Sequence, residues 1–238
     1  MSLKIKVFSD SHGYLPEIKD KFDLLLIAGD ITPTAWKYSD KTLQLEWIKN
    51  EFKEWLNSLP FKNTNSKVFL VPGNHDEVFE KMSDSDKLIL KNDLGDRFEL
   101  LIHEEKVFEY IQNKEVKKIR IFGTPYCKKF GTWAFMKSET FLKNAFSEIP
   151  ENLDILVTHD PPTLNKMGTI TQGWQYGKDA GNEILSKHIL RAKPKYVFSG
   201  HIHSGNHNFE EYEGIKMANV AYVDESYTPA FKVLTINI

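Results

Sequence analysis

Four short apolar runs in this chain stop in the same way: "FDLLLIAGD" (22–30), "SKVFLVPGNHD" (66–76), "NLDILVTHDPP" (152–162) and "PKYVFSGHIHSG" (194–205). Each is nearly continuous rather than alternating and too short for a core helix, which is the pattern of a strand buried on both faces. Each ends among Gly, Pro, Asp, Asn and His. A fifth run, "LKIKVF" (3–8), first alternates and then turns apolar before "SDSHG". Strands buried on both faces need a layer on each side, so these runs restrict the chain to a layered α/β architecture.

The intervening segments supply the outer layers. "SDKTLQLEWIKNEFKEWLNSL" (39–59) carries Leu45, Ile48, Phe52, Trp55, Leu56 and Leu59 at helical spacing, with Ser39 or Asp40 as its cap. "SETFLKNAFSEI" (138–149), capped by Ser138, and "GNEILSKHILRAK" (181–193) predict two more helices. The order strand, helix, strand implies a partly parallel sheet with helices outside it. The middle, "DRFELLIHEEKVFEYIQNKEVKKIRIFGTPY" (96–126), and the tail from residue 207 read as antiparallel meanders. No linker-like or low-complexity stretch interrupts the chain. The reading is one domain over residues 1–238, containing two sheets and no separate cap domain.

Bulk properties exclude some functions. With 31 basic against 33 acidic residues and a formal charge of −2, the chain advertises no broad footprint for duplex nucleic acid. Cys127 is the only cysteine, which excludes an internal disulfide and argues against a thiolate zinc site. No apolar run is long enough to span a bilayer, and the N-terminus lacks the apolar core of a signal peptide. The expected compartment is the cytoplasm, with no membrane partner.

The chemistry stands just beyond the five runs: Asp10 and His12, then Asp30, then Asn74, His75 and Asp76, then His159, then His201 and His203. Asn and Asp have their own reasons to sit in turns, but His75 has none. In open α/β sheets, ligands bind beyond the carboxyl ends of strands. Carboxylates and imidazoles without thiolates suit manganese, iron, zinc or magnesium.

Asp10-x-His12, Gly29-Asp30, Gly73-Asn74-His75-Asp76, His159 and Gly200-His201-Ile202-His203 resemble the five signature blocks of the calcineurin-like metallophosphoesterases, and no block departs from that pattern. "FGTPYCKKFGTWAF", "LVTHDPP" and "MANVAYVDESYTPAFKVLTI" further resemble a narrower branch, the small MPPED-type phosphodiesterases. The resemblance implies a four-layer α/β/β/α sandwich of two mixed sheets. It implies two divalent ions, manganese ahead of iron, zinc or magnesium. Asp10, His12, Asp30 and His203 would bind one, and Asp30, Asn74, His159 and His201 the other, with Asp30 shared. The implied activity is hydrolysis of a small phosphoester by a metal-bridging hydroxide, with phosphodiesters of small or nucleotide-like molecules favoured. Phosphomonoesters, nucleic acid ends and a non-catalytic scaffold are the alternatives.

Asn74 and His75 would contact the substrate. His75 would protonate the leaving alkoxide or brace the phosphate. Asp76 would set the His75 tautomer or cap the next turn. Tyr126, Trp133, Phe135 and Trp174 are expected in core and rim, with base stacking as the other reading. His103 and His188 read as structural, and Cys127 as an inert thiol. His207, in "GNHN", reads as a decoy that could still line the pocket.

Overall fold

The computed structural model describes residues 2–34, 40–173 and 175–238. In chain order the first half contains β1 (Lys4–Phe8), β2 (Leu24–Ala28) and α1 (Lys41–Trp47), which passes through a π-helical turn (Ile48–Phe52) into α2 (Lys53–Ser58). Then come β3 (Lys67–Val71), α3 (Glu77–Glu80), α4 (Asp84–Leu94), β4 (Phe98–Leu100), β5 (Glu104–Gln112) and β6 (Glu115–Thr124). The second half contains β7 (Cys127–Lys128), β8 (Met136–Lys137), α5 (Glu139–Ser147), β9 (Ile155–Thr158), α6 (Glu183–Ala192), β10 (Tyr196–Ser199), β11 (Glu210–Tyr212), β12 (Ile215–Asn219) and β13 (Leu234–Asn237).

Two mixed sheets result. The first has the order β13-β1-β2-β3-β4 and the second β11-β12-β10-β9-β6-β5. β1 to β4 are mutually parallel, as are β12, β10, β9 and β6, while β13, β11 and β5 pair antiparallel at the edges. All five apolar runs of the sequence are interior strands.

Alternation along single strands sets the layers. On β2, Leu25 and Ile27 pack under Trp47, Ile48, Phe52 and Leu90. Leu24, Leu26 and Ala28, on its other face, meet Ile121, Ile155, Val157 and Phe198 of the second sheet. On β9, Leu156 points outward to Leu142, Phe146, Leu185 and Ile189. Helices, sheet, sheet and helices form the four-layer α/β/β/α sandwich that the family resemblance implies.

Two details differ from expectation. The predicted meanders are divided between the sheets: β4 joins β3 in parallel, leaving β5–β6 as a hairpin, and the tail splits into the β11–β12 hairpin and β13. A parallel β3–β4 pair needs a crossover, and α3 and α4 supply it. Neither helix is anticipated. α4 has a capping box between Ser83 and Asp86 and stops at Gly95, but buries only Leu90 and Leu94, too thin a stripe to read as a helix face.

The predicted 39–59 helix is present, and its π turn has a sequence cause. Asp40 caps it by accepting from the Thr42 N–H at 2.8 Å; Ser39 lies outside the described residues. Gln44, Ile48, Phe52 and Leu56 are buried four residues apart. At 3.6 residues per turn such a stripe would wind off the sheet, and one wider turn keeps it facing inward. Phe52, fully buried in that turn, anchors it. Phe52→Ala is expected to cost about 3–5 kcal/mol in urea unfolding; a loss below about 1 kcal/mol would show that the turn repacks.

Candidate metal centre

The parallel strands deliver their carboxyl ends to one rim, and each ligand candidate follows within a few residues. The chain reverses sharply there. Asp10, His12, Asp30 and His201 all adopt left-handed backbone, with φ of 49°, 45°, 54° and 68°. Such a conformation costs a residue with a Cβ about 1–2 kcal/mol, so the surroundings must impose it.

They do so by hydrogen bonding. The Asp76 carboxylate accepts the backbone N–H of Asp30 (2.8 Å), Thr32 (2.9 Å) and Gly73 (2.9 Å), together with the Thr32 hydroxyl (3.0 Å). The N–H of His75 donates to Asp30 Oδ1 at 2.8 Å, and that of His201 to both Asp10 oxygens at 3.0 Å. Gln44, from the long helix, donates to the His75 carbonyl at 2.8 Å and accepts from the Val78 N–H at 3.0 Å. Close approach also demands two glycines: a Cβ at Gly73 would fall on the Asp30 carboxylate, and one at Gly200 on that of Asp10.

Two trios of ligand atoms gather, Asp10–His12–His203 and Asp30–His159–His201, each with its atoms within 4.8 Å of one another. Asp30 Oδ2 lies between them, 3.3 Å from His159 Nε2 and 3.9 Å from His12 Nε2. His12 Nε2 and His203 Nε2 are 3.2 Å apart, and Asn74 Oδ1 is 3.0 Å from His159 Nε2.

The donor set fits a cation. His159 Nδ1 sits 2.8 Å from the Ala28 carbonyl and His203 Nδ1 2.9 Å from that of Asp224. Carbonyls only accept, so each Nδ1 carries the proton and each neutral ring turns a lone pair inward from Nε2. Those lone pairs face carboxylates and the Asn74 oxygen. Acceptors converging on acceptors, in a buried site, need a shared positive charge.

In the metal-free protein protons supply that charge. Burial alone would depress His159, but the Asp30 carboxylate overrides it and lifts the ring to about 10. His203 is likewise lifted against burial, by Asp10, to about 9. Burial wins at His12 and His201, both brought down to about 4. Burial would raise Asp10, yet its bond to His203 and the charge on His159 bring it to about 2. Asp30 is held well below the usual range, burial again being outweighed by His159 and His75.

The remaining residues fall into place around this core. His75 is half-buried, its ring 5.2 Å from that of His12 and 4.5 Å from that of Trp133. Among the described residues that ring makes no hydrogen bond, and it faces a cleft of about 460 Å³ shared with Asp30, Asn74, His201 and His203. Asp76 makes neither contact expected of it. Its oxygens are taken by loop amides and Thr32, none by His75, and it gives α3 no side-chain cap. It is a positioning residue, pushed up to about 6 by burial and by Asp30.

Of the aromatics, Trp133 is on the rim, Phe135 is core, Tyr126 packs on His103 at 5.0 Å, and Trp174 lies outside the described residues. His207 stacks on Phe231 at 3.6 Å and donates to the His203 carbonyl, so it props the ligand loop from outside the cleft. His103 bonds the Thr124 hydroxyl at 3.0 Å, and His188 is half-buried on α6. Cys127 is buried, which pushes its thiol well up and makes it inert. Gln44, Asp224, Phe130 and Tyr227 are not expected at the site from sequence: the last three lie in stretches that resemble the MPPED-type branch, but nothing local assigns those residues a place.

A family model for calcineurin-like phosphoesterases matches residues 3–205. Human metallophosphoesterase domain-containing protein 1 is 28% identical over 211 residues, covering 83% of this chain and 59% of its own. The chain thus spans about three fifths of that relative's length. A UPF0046 protein of Caenorhabditis elegans is 29% identical over 241 residues, covering 95% of this chain and 76% of its own. Among solved structures, the protein TT1561 of Thermus thermophilus superposes with a TM-score of 0.57 at 11% identity, over 100% of this chain and 99% of its own. Phosphopantetheinyl hydrolase from Mycobacterium tuberculosis does so with 0.54 at 14%, over 95% and 91%. At such identities the superpositions establish the fold.

The two raised histidines generate a prediction. Both carry protons at pH 7 when no metal is bound, and metal binding requires them neutral. Loading is therefore expected to release roughly two protons at neutral pH. Affinity should rise with pH to about 9, where His203 becomes neutral by itself, and on to about 10 for His159. Calorimetry in buffers of different ionisation heat measures this; affinity independent of pH would contradict it.

Proposed function

The chain belongs to the calcineurin-like phosphoesterase family, and on that premise we propose that it hydrolyses phosphodiesters of small or nucleotide-like molecules using two divalent ions. The observation that carries this is the position of Asp30, whose one oxygen stands between two ligand trios. In this reading Asp10, His12, Asp30 and His203 hold one ion, and Asp30, Asn74, His159 and His201 the other. Held by these residues, two ions would supply Lewis-acid polarisation of the phosphoryl oxygens and charge stabilisation for an in-line displacement. The nitrogen-rich set favours manganese, iron or zinc over magnesium, which prefers oxygen and dehydrates reluctantly. Manganese is our first choice.

The chain's own groups then orient the ester and move one proton. The His75 ring faces the cleft free of hydrogen bonds among the described residues, so it is available to give a proton to the leaving oxygen. Its backbone is fixed from both sides, by Asp30 and by Gln44, which keeps the ring aimed. A diester is favoured over a monoester on shape. Phe130, Trp133 and Tyr227 offer apolar surface for a second ester substituent.

Three outcomes are expected. Activity on a phosphodiester disappears in chelator and returns more fully with manganese than with magnesium; full activity after exhaustive chelation would reject the reading. Asp30→Asn loses metal as well as turnover, measured by metal analysis of the purified variant. His75→Ala keeps both ions, and its loss of rate grows from a good leaving group such as p-nitrophenolate toward about 10²–10⁴-fold for a poor alkoxide. An equal loss across that series would exclude proton donation by His75.

A further inference from the structure

Beyond β12 the chain leaves its own sheet. The Ser9 N–H donates to the Val220 carbonyl at 2.9 Å and the Tyr222 N–H to the Ser9 carbonyl at 2.8 Å, so the tail is tied to the end of β1. The loop that follows lies against the Asp10–His12–His203 trio. Asp224 shapes it: its carboxylate accepts the N–H of Ser226 (2.9 Å) and Thr228 (3.1 Å), and its carbonyl accepts from His203 Nδ1 (2.9 Å). Glu225 accepts the Ser204 N–H at 3.0 Å, fastening the same loop to the His203 turn.

Tyr227 sits in this loop with φ of 57°, sharing the left-handed backbone of Asp10, His12, Asp30 and His201. A bulky residue holds that conformation only where its surroundings over-determine it, and such residues collect at functional sites. Its ring is edge-on to two ligand candidates, 4.8 Å from His12 and 5.0 Å from His203. It lines the same cleft as Asp30 and His75 and is 40% exposed. Among the described residues it belongs to none of the three apolar core clusters, so core packing does not explain its place. It also lies outside the stretch matched by the family model, which ends at residue 205.

We infer that Tyr227 is a substrate-contact residue, its hydroxyl donating a hydrogen bond to a non-bridging oxygen of the bound phosphoester while its ring walls the cleft over His12 and His203. This rests on the phosphoesterase reading above. A phenol, with an ordinary pKa of about 10, is a neutral donor at physiological pH. It adds no charge to the site, and its bond strengthens as negative charge builds on the phosphoryl oxygens.

The test uses the metal-loaded full chain and the variants Tyr227→Phe and Tyr227→Ala. Metal content, affinity for inorganic phosphate by calorimetry, and steady-state kinetics on a phosphodiester are measured on the same samples. Both variants are expected to keep the wild-type metal content. Tyr227→Phe loses about tenfold in phosphate affinity and in kcat/KM, the size of one hydrogen bond to a charged group. Tyr227→Ala loses about tenfold more, seen mainly as a higher KM. Wild-type phosphate affinity and kinetics in Tyr227→Phe would overturn the inference. Loss of metal from Tyr227→Ala would overturn it too, and assign the ring to holding His12 and His203 in place. If the wild type turns over no phosphoester, the phosphoesterase reading fails, and the phosphate titration alone still decides the role of Tyr227.

Discussion

One buried carboxylate, Asp76, ties the loop after β2 to the loop after β3, and the geometry of the site depends on that tie. Its bonds to the N–H groups of Asp30, Thr32 and Gly73 satisfy donors that the sharp turns would otherwise leave unpaired inside the protein. They also hold Asp30 in its left-handed backbone, which aims its side chain at the centre of the cluster. The same tie sets Gly73 against Asp30 so closely that no Cβ fits between them. A charged group standing next to the catalytic candidate in the chain thus acts on the scaffold.

A second dependence runs across the sandwich. Each ligand trio draws on both sheets: Asp10 and His12 follow β1 while His203 follows β10, and Asp30 follows β2 while His159 and His201 follow β9 and β10. Neither trio exists within one sheet. The inner faces, where Val7 and Leu26 meet Val157 and Phe198, therefore set the distances among the candidate ligand atoms as well as burying apolar area. Interiors packed at crystal-like density shift little, which is how strands far apart in sequence can hold imidazoles and carboxylates in register.

The outer shell of the site is built in the same way. Backbone carbonyls of Ala28 and Asp224 select the tautomers of His159 and His203. Gln44, at the first turn of a long core helix, pins the His75 loop from the other side. The π turn in that helix keeps Gln44 and Phe52 on one face, so a local irregularity far from the ligand candidates helps to hold the loop that carries His75 beside the cleft.

The five apolar runs and their polar ends were legible in the residues alone, because a strand buried on both faces leaves a continuous apolar signature and a ligand turn leaves Gly, Asp, Asn and His beside it. They determined the layered α/β class, the parallel interior strands and nine polar candidates at the strand ends, among which the family resemblance singles out seven as ligands. The partition of the two supposed meanders was not legible, since β4 and β13 are edge strands whose partners lie far away in sequence and leave no local trace. Neither was α4, whose buried stripe is only Leu90 and Leu94. The role of Asp76 also depended on tertiary structure, because a carboxylate in a turn reads the same whether it serves an imidazole or a set of loop amides. So did the place of Tyr227, brought to the cleft by a tail that crosses from one sheet to the other. Local pattern records what a residue's own segment buries and exposes; which segments meet is decided only when the two sheets pack.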